Sequence, residues 1–142
     1  MDPFIMTRTF VSAGEGLPRW SAPISHAVAV NNTCYLSGQL SVDESGNYIP
    51  GSAREEAVRA FNNLFAAARS AGFSIAEIVF IDIAFADLAD VSEVNALFAE
   101  LFPEAARPAR TIYQAAALPF GGKVKVMGVA VRDVTAIASP AL

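Results

Sequence analysis

Arg110 opens a stretch that is otherwise almost wholly apolar: residues 108–118 read Pro-Ala-Arg-Thr-Ile-Tyr-Gln-Ala-Ala-Ala-Leu. A guanidinium entering such a strand must find a partner or stay wet. It keeps its charge and presents a planar fork of donors that fits a carboxylate through two parallel hydrogen bonds. Two readings follow: an ion pair with one of the chain's own acids, or a receptor for a small carboxylate ligand. Strand alternation puts Ile112 and Gln114 on the face of Arg110 and turns Tyr113 away, so Gln114 is a polar candidate for the same cleft. Ser37-Gly38-Gln39 reads, taken alone, as a strand-ending turn. Asn95, taken alone, reads as a solvent-facing polar residue on a helix. His26, the one histidine, titrates near neutrality and is a candidate base, although a lone histidine is more often structural. It shares a face with Ile24 only where that segment is extended. Cys34 has the opposite strand parity to Tyr35 and Ser37 and reads as a buried, inert thiol. Glu100 and Glu104 are the expected ion-pair partners of Arg107.

The elements that position these groups follow from periodicity and turn residues. Residues 8–12 and 27–30 read as short strands, Asn31-Asn32 as a hairpin turn, and 33–37 as the return strand ending at Gly38. Residues 43–51 are rich in Asp, Ser, Gly, Asn and Pro and form a loop. A helix opens at Ser52, whose spacing to Glu55 is that of a capping box. Its stripe is Ala57, Val58, Phe61, Leu64, Phe65 and Ala68, and it stops at Gly72. Residues 78–86 form a β-branched and aromatic strand. Asp90 with Glu93 predicts a second capping box, followed by the stripe Val94, Leu97, Phe98, Leu101 and Phe102, and Pro103 ends that helix. Strands at 111–118 and 123–132 are joined through Pro119-Phe120-Gly121-Gly122. This order predicts an α+β fold with both helices on one face of a mixed sheet. No helix remains for the other face, so self-association is expected to cover it.

Composition narrows the class. The 142 residues suit one domain with its own core. The second methionine, Met6, makes residues 1–5 read as a vector remnant, which leaves 6–142 as the single domain. The chain is 54% hydrophobic and 17% charged, against about 25% charged for an average soluble domain. That apolar surplus again points to surface buried between subunits. A net charge of −4 offers no basic footprint for nucleic acid. Apolar runs such as 78–81 fall far short of the ~20 residues of a membrane span. The first eleven residues lack the continuous apolar region of a signal peptide. With a single cysteine there is no intrachain disulfide, which fits a reducing, cytoplasmic setting.

Ser21-Ala22-Pro23, Tyr35-Leu36-Ser37-Gly38-Gln39, the helix from Glu93-Val94-Asn95 to Phe102, Arg107-Pro108-Ala109-Arg110-Thr111 and Gly128-Val129-Ala130-Val131-Arg132 stand in one register. In order and spacing this set resembles the YjgF/YER057c/UK114 family, also called RidA, over residues 18–133. The resemblance implies a chorismate-mutase-like α+β fold and a homotrimer with a central β-barrel and three interface clefts. It implies hydrolysis of reactive enamines and imines, such as 2-aminoacrylate, to 2-keto acids and ammonia, with no metal or cofactor. The family's carboxylate-binding arginine corresponds to Arg110, its interface asparagine to Asn95, and the serine and glycine of its turn to Ser37 and Gly38.

Three positions depart from the pattern. Ile24 stands where well-known members have a tyrosine, Ile112 where they have a cysteine, and Met127 where they have a glutamate that holds the attacking water. A thioether is only a weak acceptor and cannot take a proton from water. The coordinated change suggests a cleft for a bulkier or more apolar ligand, lined by Ile24, Ile112 and Met127. The leading expectation is an enamine/imine deaminase, a hydrolase acting on C–N bonds. The alternatives are a non-catalytic binder of small carboxylates or partner proteins, and a ribonuclease. The last is disfavoured by the acidic charge and the single histidine.

Overall fold

The computed structural model describes residues 7–133; the expected vector remnant, residues 1–5, lies outside them. Strands β1 (Arg8–Val11), β2 (Ala27–Val30) and β3 (Thr33–Gln39) precede helix α1 (Ala53–Ser70). Strand β4 (Ile78–Phe85), helix α2 (Val91–Leu101), β5 (Ala109–Gln114) and β6 (Val124–Val131) follow. They form one six-stranded sheet in the order β1-β2-β3-β6-β4-β5. Every neighbouring pair is antiparallel except β4 and β5. The expected α+β class with a mixed sheet is therefore observed. The parallel pair needs a crossover, and α2 supplies it.

Helix α1 begins as its sequence dictates. Ser52 Oγ accepts from the backbone N–H of Glu55, and the Glu55 carboxylate accepts from the backbone N–H of Ser52. It ends at Gly72, whose φ of +86° lets the N–H of Phe73 reach the carbonyl of Ala68. Its apolar stripe, except Val58, which stays exposed, lies across β3 and β6, and α2 packs beside it. The centre is a phenylalanine cluster: Phe61 meets Phe98 and Phe102 edge to face, with centroids 6.1 and 6.2 Å away. Ile81, Ile83, Phe85, Val124 and Val126 rise from the sheet to meet it. Opposite them, Phe10, Tyr35, Tyr113, Met127 and Val131 stay exposed on strand positions of the other parity. Gly128 sits where β4 and β6 come close: a Cβ there would lie 2.7 Å from the Phe80 carbonyl oxygen.

Two local expectations are corrected. The second capping box does not form. Asp90 is itself helical in backbone and its side chain makes no cap hydrogen bond. Asp87 accepts instead from the N–H of Ala89 at 2.8 Å and starts a short 3₁₀ turn that runs into α2. Strand β5 ends at Gln114 rather than at 118, because its parallel partner β4 ends at Phe85, which pairs with Gln114. Beyond it the chain turns through Phe120, which adopts a left-handed φ of +63°.

Candidate active site

Arg110 pairs with Ile81 in the parallel register, so its side chain leaves the sheet on the helix-covered face. There its guanidinium carbon lies 4.8 Å from the centroid of the Phe98 ring, a cation–π arrangement. Asn95, Phe98, Ala99, Arg107, Pro108 and Arg110 line a hollow of about 250 Å³ at this edge. Among the described residues the ion pairs are Arg54–Glu100, Lys123–Glu56 and Arg132–Glu77, and none involves Arg110. Its donors are thus not spent on any acid among the described residues. The Arg107 pairings are also corrected: Glu100 pairs with Arg54, and Arg107 Nε donates to the Phe102 carbonyl at 3.3 Å. Arg54 lies on α1, a neighbour that local sequence could not reveal.

The remaining candidates gather elsewhere. Between Leu36, which pairs with Gly128, and Gln39, which pairs with Val126, β3 bulges through Ser37 and Gly38 opposite Met127. Ser37 Oγ donates to the Ser25 carbonyl at 2.5 Å, fastening the segment that carries the exposed Ile24. A Cβ on Gly38 would collide with Lys125 Cε, so this glycine lets the lysine stem cross the bulge. Met127 in turn faces Asp82 across β4, and Asp82 faces Thr111 on β5. Ser37, Met127, Asp82 and Thr111 form one row on the face that carries no helix.

The sequence-selected residues therefore divide into two sets within one chain. Arg110, Asn95 and Ile112 belong to the β5 edge and α2. Ser37, Gly38 and Met127 belong to the centre of the sheet, on the side away from the Arg110 pocket, and Ile24 lies exposed in the loop that Ser37 fastens through the Ser25 carbonyl. Strands β3 and β5 are three spacings apart, about 14 Å. Gln114 shares the Arg110 face, but its Oε1 accepts from the Leu88 N–H at 3.0 Å and it is absent from the hollow's lining. That role is local: it ties the end of β5 to the 3₁₀ turn.

The candidate base His26 is buried. Its Nε2 lies 2.8 Å from the Pro18 carbonyl, which can only accept, so that nitrogen donates. Nδ1 then accepts from Gln39 Nε2 at 2.9 Å. Both nitrogens are occupied, and burial holds the imidazole below its usual 6.5. The residue is a strut between the N-terminal loop and β3, with no nitrogen left for substrate. Cys34 is fully buried and its thiol is pushed up to about 11, as expected for an inert sulfur. Among the described residues no group of three His, Cys, Asp or Glu is placed to hold a metal, and no helix is long and apolar enough to cross a membrane. A larger hollow of about 610 Å³ lies beside Glu15, Glu44 and Arg69, and holds none of the sequence-selected residues. Phe98 as the platform for Arg110 escaped sequence reasoning because its stripe position marked it only as core.

Fold and pocket together define a small α+β protein with an unpaired arginine in a hollow at the edge of its sheet. The endoribonuclease L-PSP family model matches residues 17–132, and the chain belongs to this family, the YjgF/YER057c/UK114 (RidA) group to which its motifs pointed. It is 37% identical over 135 residues to the bovine 2-iminobutanoate/2-iminopropanoate deaminase, covering 94% of this chain and 97% of that protein. The crystal structure of the Escherichia coli YjgF gene product superposes with a TM-score of 0.80 at 29% identity, over 88% of this chain and all of that one. E. coli TdcF, crystallised with bound serine, gives a TM-score of 0.80 at 25% identity over the same shares.

Proposed function

We propose that this chain is a hydrolytic deaminase of reactive 2-imino acids and their enamine tautomers, releasing a 2-keto acid and ammonia without a cofactor. The carrying observation is the guanidinium of Arg110, oriented by Phe98 into a hollow shared with Asn95 and unpaired with any acid among the described residues. Its fork takes the substrate carboxylate and fixes C2 against a water molecule. An imine carbon is already electrophilic, so positioning and proton transfer suffice for hydrolysis. The names of the curated relatives and the serine held by TdcF support the same ligand chemistry.

The two sets of residues meet when copies of the chain associate. The β5 edge of one subunit, with Arg110, Asn95 and Ile112, closes over the helix-free row of the next, with Ile24, Ser37, Gly38 and Met127. A homotrimer in the cytoplasm, its helix-free faces turned inward as a barrel, accommodates this arrangement. Exposed Phe10, Tyr35, Met127 and Val131 supply the apolar area for it. The apolar side chains of Ile24, Ile112 and Met127 favour substrates larger than 2-aminoacrylate. An acidic net charge of −4 and a histidine with both nitrogens occupied weigh against cleavage of RNA.

The test is direct. An amino-acid oxidase generates 2-imino acids in situ, and keto-acid formation is followed with and without the protein. The wild type accelerates it and Arg110→Lys does not. No acceleration, together with tight binding of 2-keto acids that Arg110→Lys abolishes, leaves a non-catalytic carboxylate binder.

A further inference from the structure

The six strands carry a single acid between them, Asp82 in the middle of β4. Its neighbours along the strand are Ile81 and Ile83, both fully buried against the helices, which turns Asp82 to the helix-free face. Aspartate is poorly suited to a central strand, and an apolar residue would serve the sheet better there. Its support is narrow. The Thr111 hydroxyl donates to Oδ1, and among the described residues no protein donor reaches Oδ2. Met127 is its direct partner across β6 and leaves open surface beside it. Lys125 and Tyr113 flank Ala84 one step along the same face, and they are the other titratable groups on that face of the adjoining strands; Arg110, also on β5, pairs with Ile81 and leaves the sheet on the opposite face. Nothing in the packing of the single chain explains a carboxylate at this place.

Addition of water to a C=N bond requires an acceptor for the water proton, and Met127 provides none. Resting on the deaminase reading, we propose that Asp82 is the catalytic carboxylate: it holds the attacking water and takes its proton, and Thr111 is the positioning residue that orients it. As the water oxygen bonds to C2, its proton passes to Asp82 and the C=N π pair moves onto nitrogen. That nitrogen takes a proton, first from the carboxyl and then from solvent. The C–N bond breaks, ammonia leaves with the bonding pair, and the C2 hydroxyl proton passes to the carboxylate as the ketone forms; Asp82 then releases it to solvent, which balances the proton that nitrogen took up. No oxidant or reductant enters. The row Ser37–Met127–Asp82–Thr111 thus becomes the proton-handling wall of the cleft, opposite the arginine that the adjoining subunit contributes.

The experiment measures kcat and KM for an in-situ 2-imino acid with wild type, Asp82→Asn, Asp82→Ala, Thr111→Val and Thr111→Ser, with sedimentation of each variant. Loss of a positioned proton acceptor predicts that Asp82→Asn lowers kcat by about 10²–10⁴-fold at nearly constant KM. Added formate should restore part of the turnover of Asp82→Ala. Thr111→Val should lower kcat, and Thr111→Ser should recover part of that loss, because it returns the hydroxyl. Asp82→Asn with turnover near that of the active wild type overturns the inference while leaving the deaminase reading intact. Loss of turnover that accompanies loss of assembly, with no rescue by formate, overturns it too and makes Asp82 structural. A wild type that hydrolyses no imine refutes both readings together.

Discussion

The guanidinium carbon of Arg110 stands 4.8 Å from the centre of the Phe98 ring, and Phe98 is itself buried in the cluster with Phe61 and Phe102. The charge at the sheet edge is therefore held by a ring whose own orientation the core sets. Phe98→Leu keeps most of the apolar volume but removes the ring face. Affinity for pyruvate should fall by about 0.5–2 kcal/mol, the range for a cation–π contact. Arg110→Lys should cost more, about 1.5–3 kcal/mol, because a point charge cannot reproduce the bidentate fork. Isothermal titration of pyruvate into each variant decides it, and unchanged affinity in Arg110→Lys would remove Arg110 as the anchor.

Sedimentation equilibrium should return a mass near three times 15.0 kDa. Tyr35→Asp, at a 57% exposed position on the helix-free face, should shift the mass towards a monomer, since a charge would then be buried without a partner. Arg110→Lys and Asp82→Asn subunits, refolded together, should regain turnover that neither has alone, because some clefts then combine two wild-type halves. A stable monomer with full activity would rule out the shared cleft.

His26 ties stability to pH. Its folded-state pKa is lowered from 6.5, first by burial, with the hydrogen bond to Pro18 opposing. Above 6.5 the imidazole is neutral in both states and stability is at its full value. As the pH falls below 6.5 the unfolded chain takes up a proton that the folded chain refuses, and stability declines until the lowered folded value is reached. Urea melts at pH 7.5 and 5.5 should show this loss, and His26→Gln should flatten it. An equal slope in the variant would assign the pH dependence to other groups.

Gly128 should tolerate no side chain. A Cβ would lie 2.7 Å from the Phe80 carbonyl oxygen and 3.0 Å from Ile81 Cδ1, in a sheet whose backbone cannot give way without breaking the β4–β6 pairing. Gly128→Ala should cost about 1–3 kcal/mol, as overpacking of a core does. A urea midpoint equal to that of the wild type would show that β4 can shift to accommodate a methyl.

Local sequence determined the elements, because turns, caps and alternation act over a few residues. Ser52 with Glu55 marked the start of α1 and Gly72 its end, and the parity of Arg110, Ile112 and Tyr113 followed from period two alone. The same rules failed at Asp90, where Asp87 three residues earlier won the backbone N–H that opens the turn, and at the end of β5, whose length is set by where β4 stops. What sequence spacing could not decide is which face meets which. Strand order β3-β6-β4-β5 separates Ser37 from Arg110 and sets Met127 beside Asp82, residues 45 positions apart in the chain. Only the pairing of distant strands, driven by burial of one sheet face under α1 and α2, turns a lone aspartate in an apolar strand into the neighbour of the candidate site.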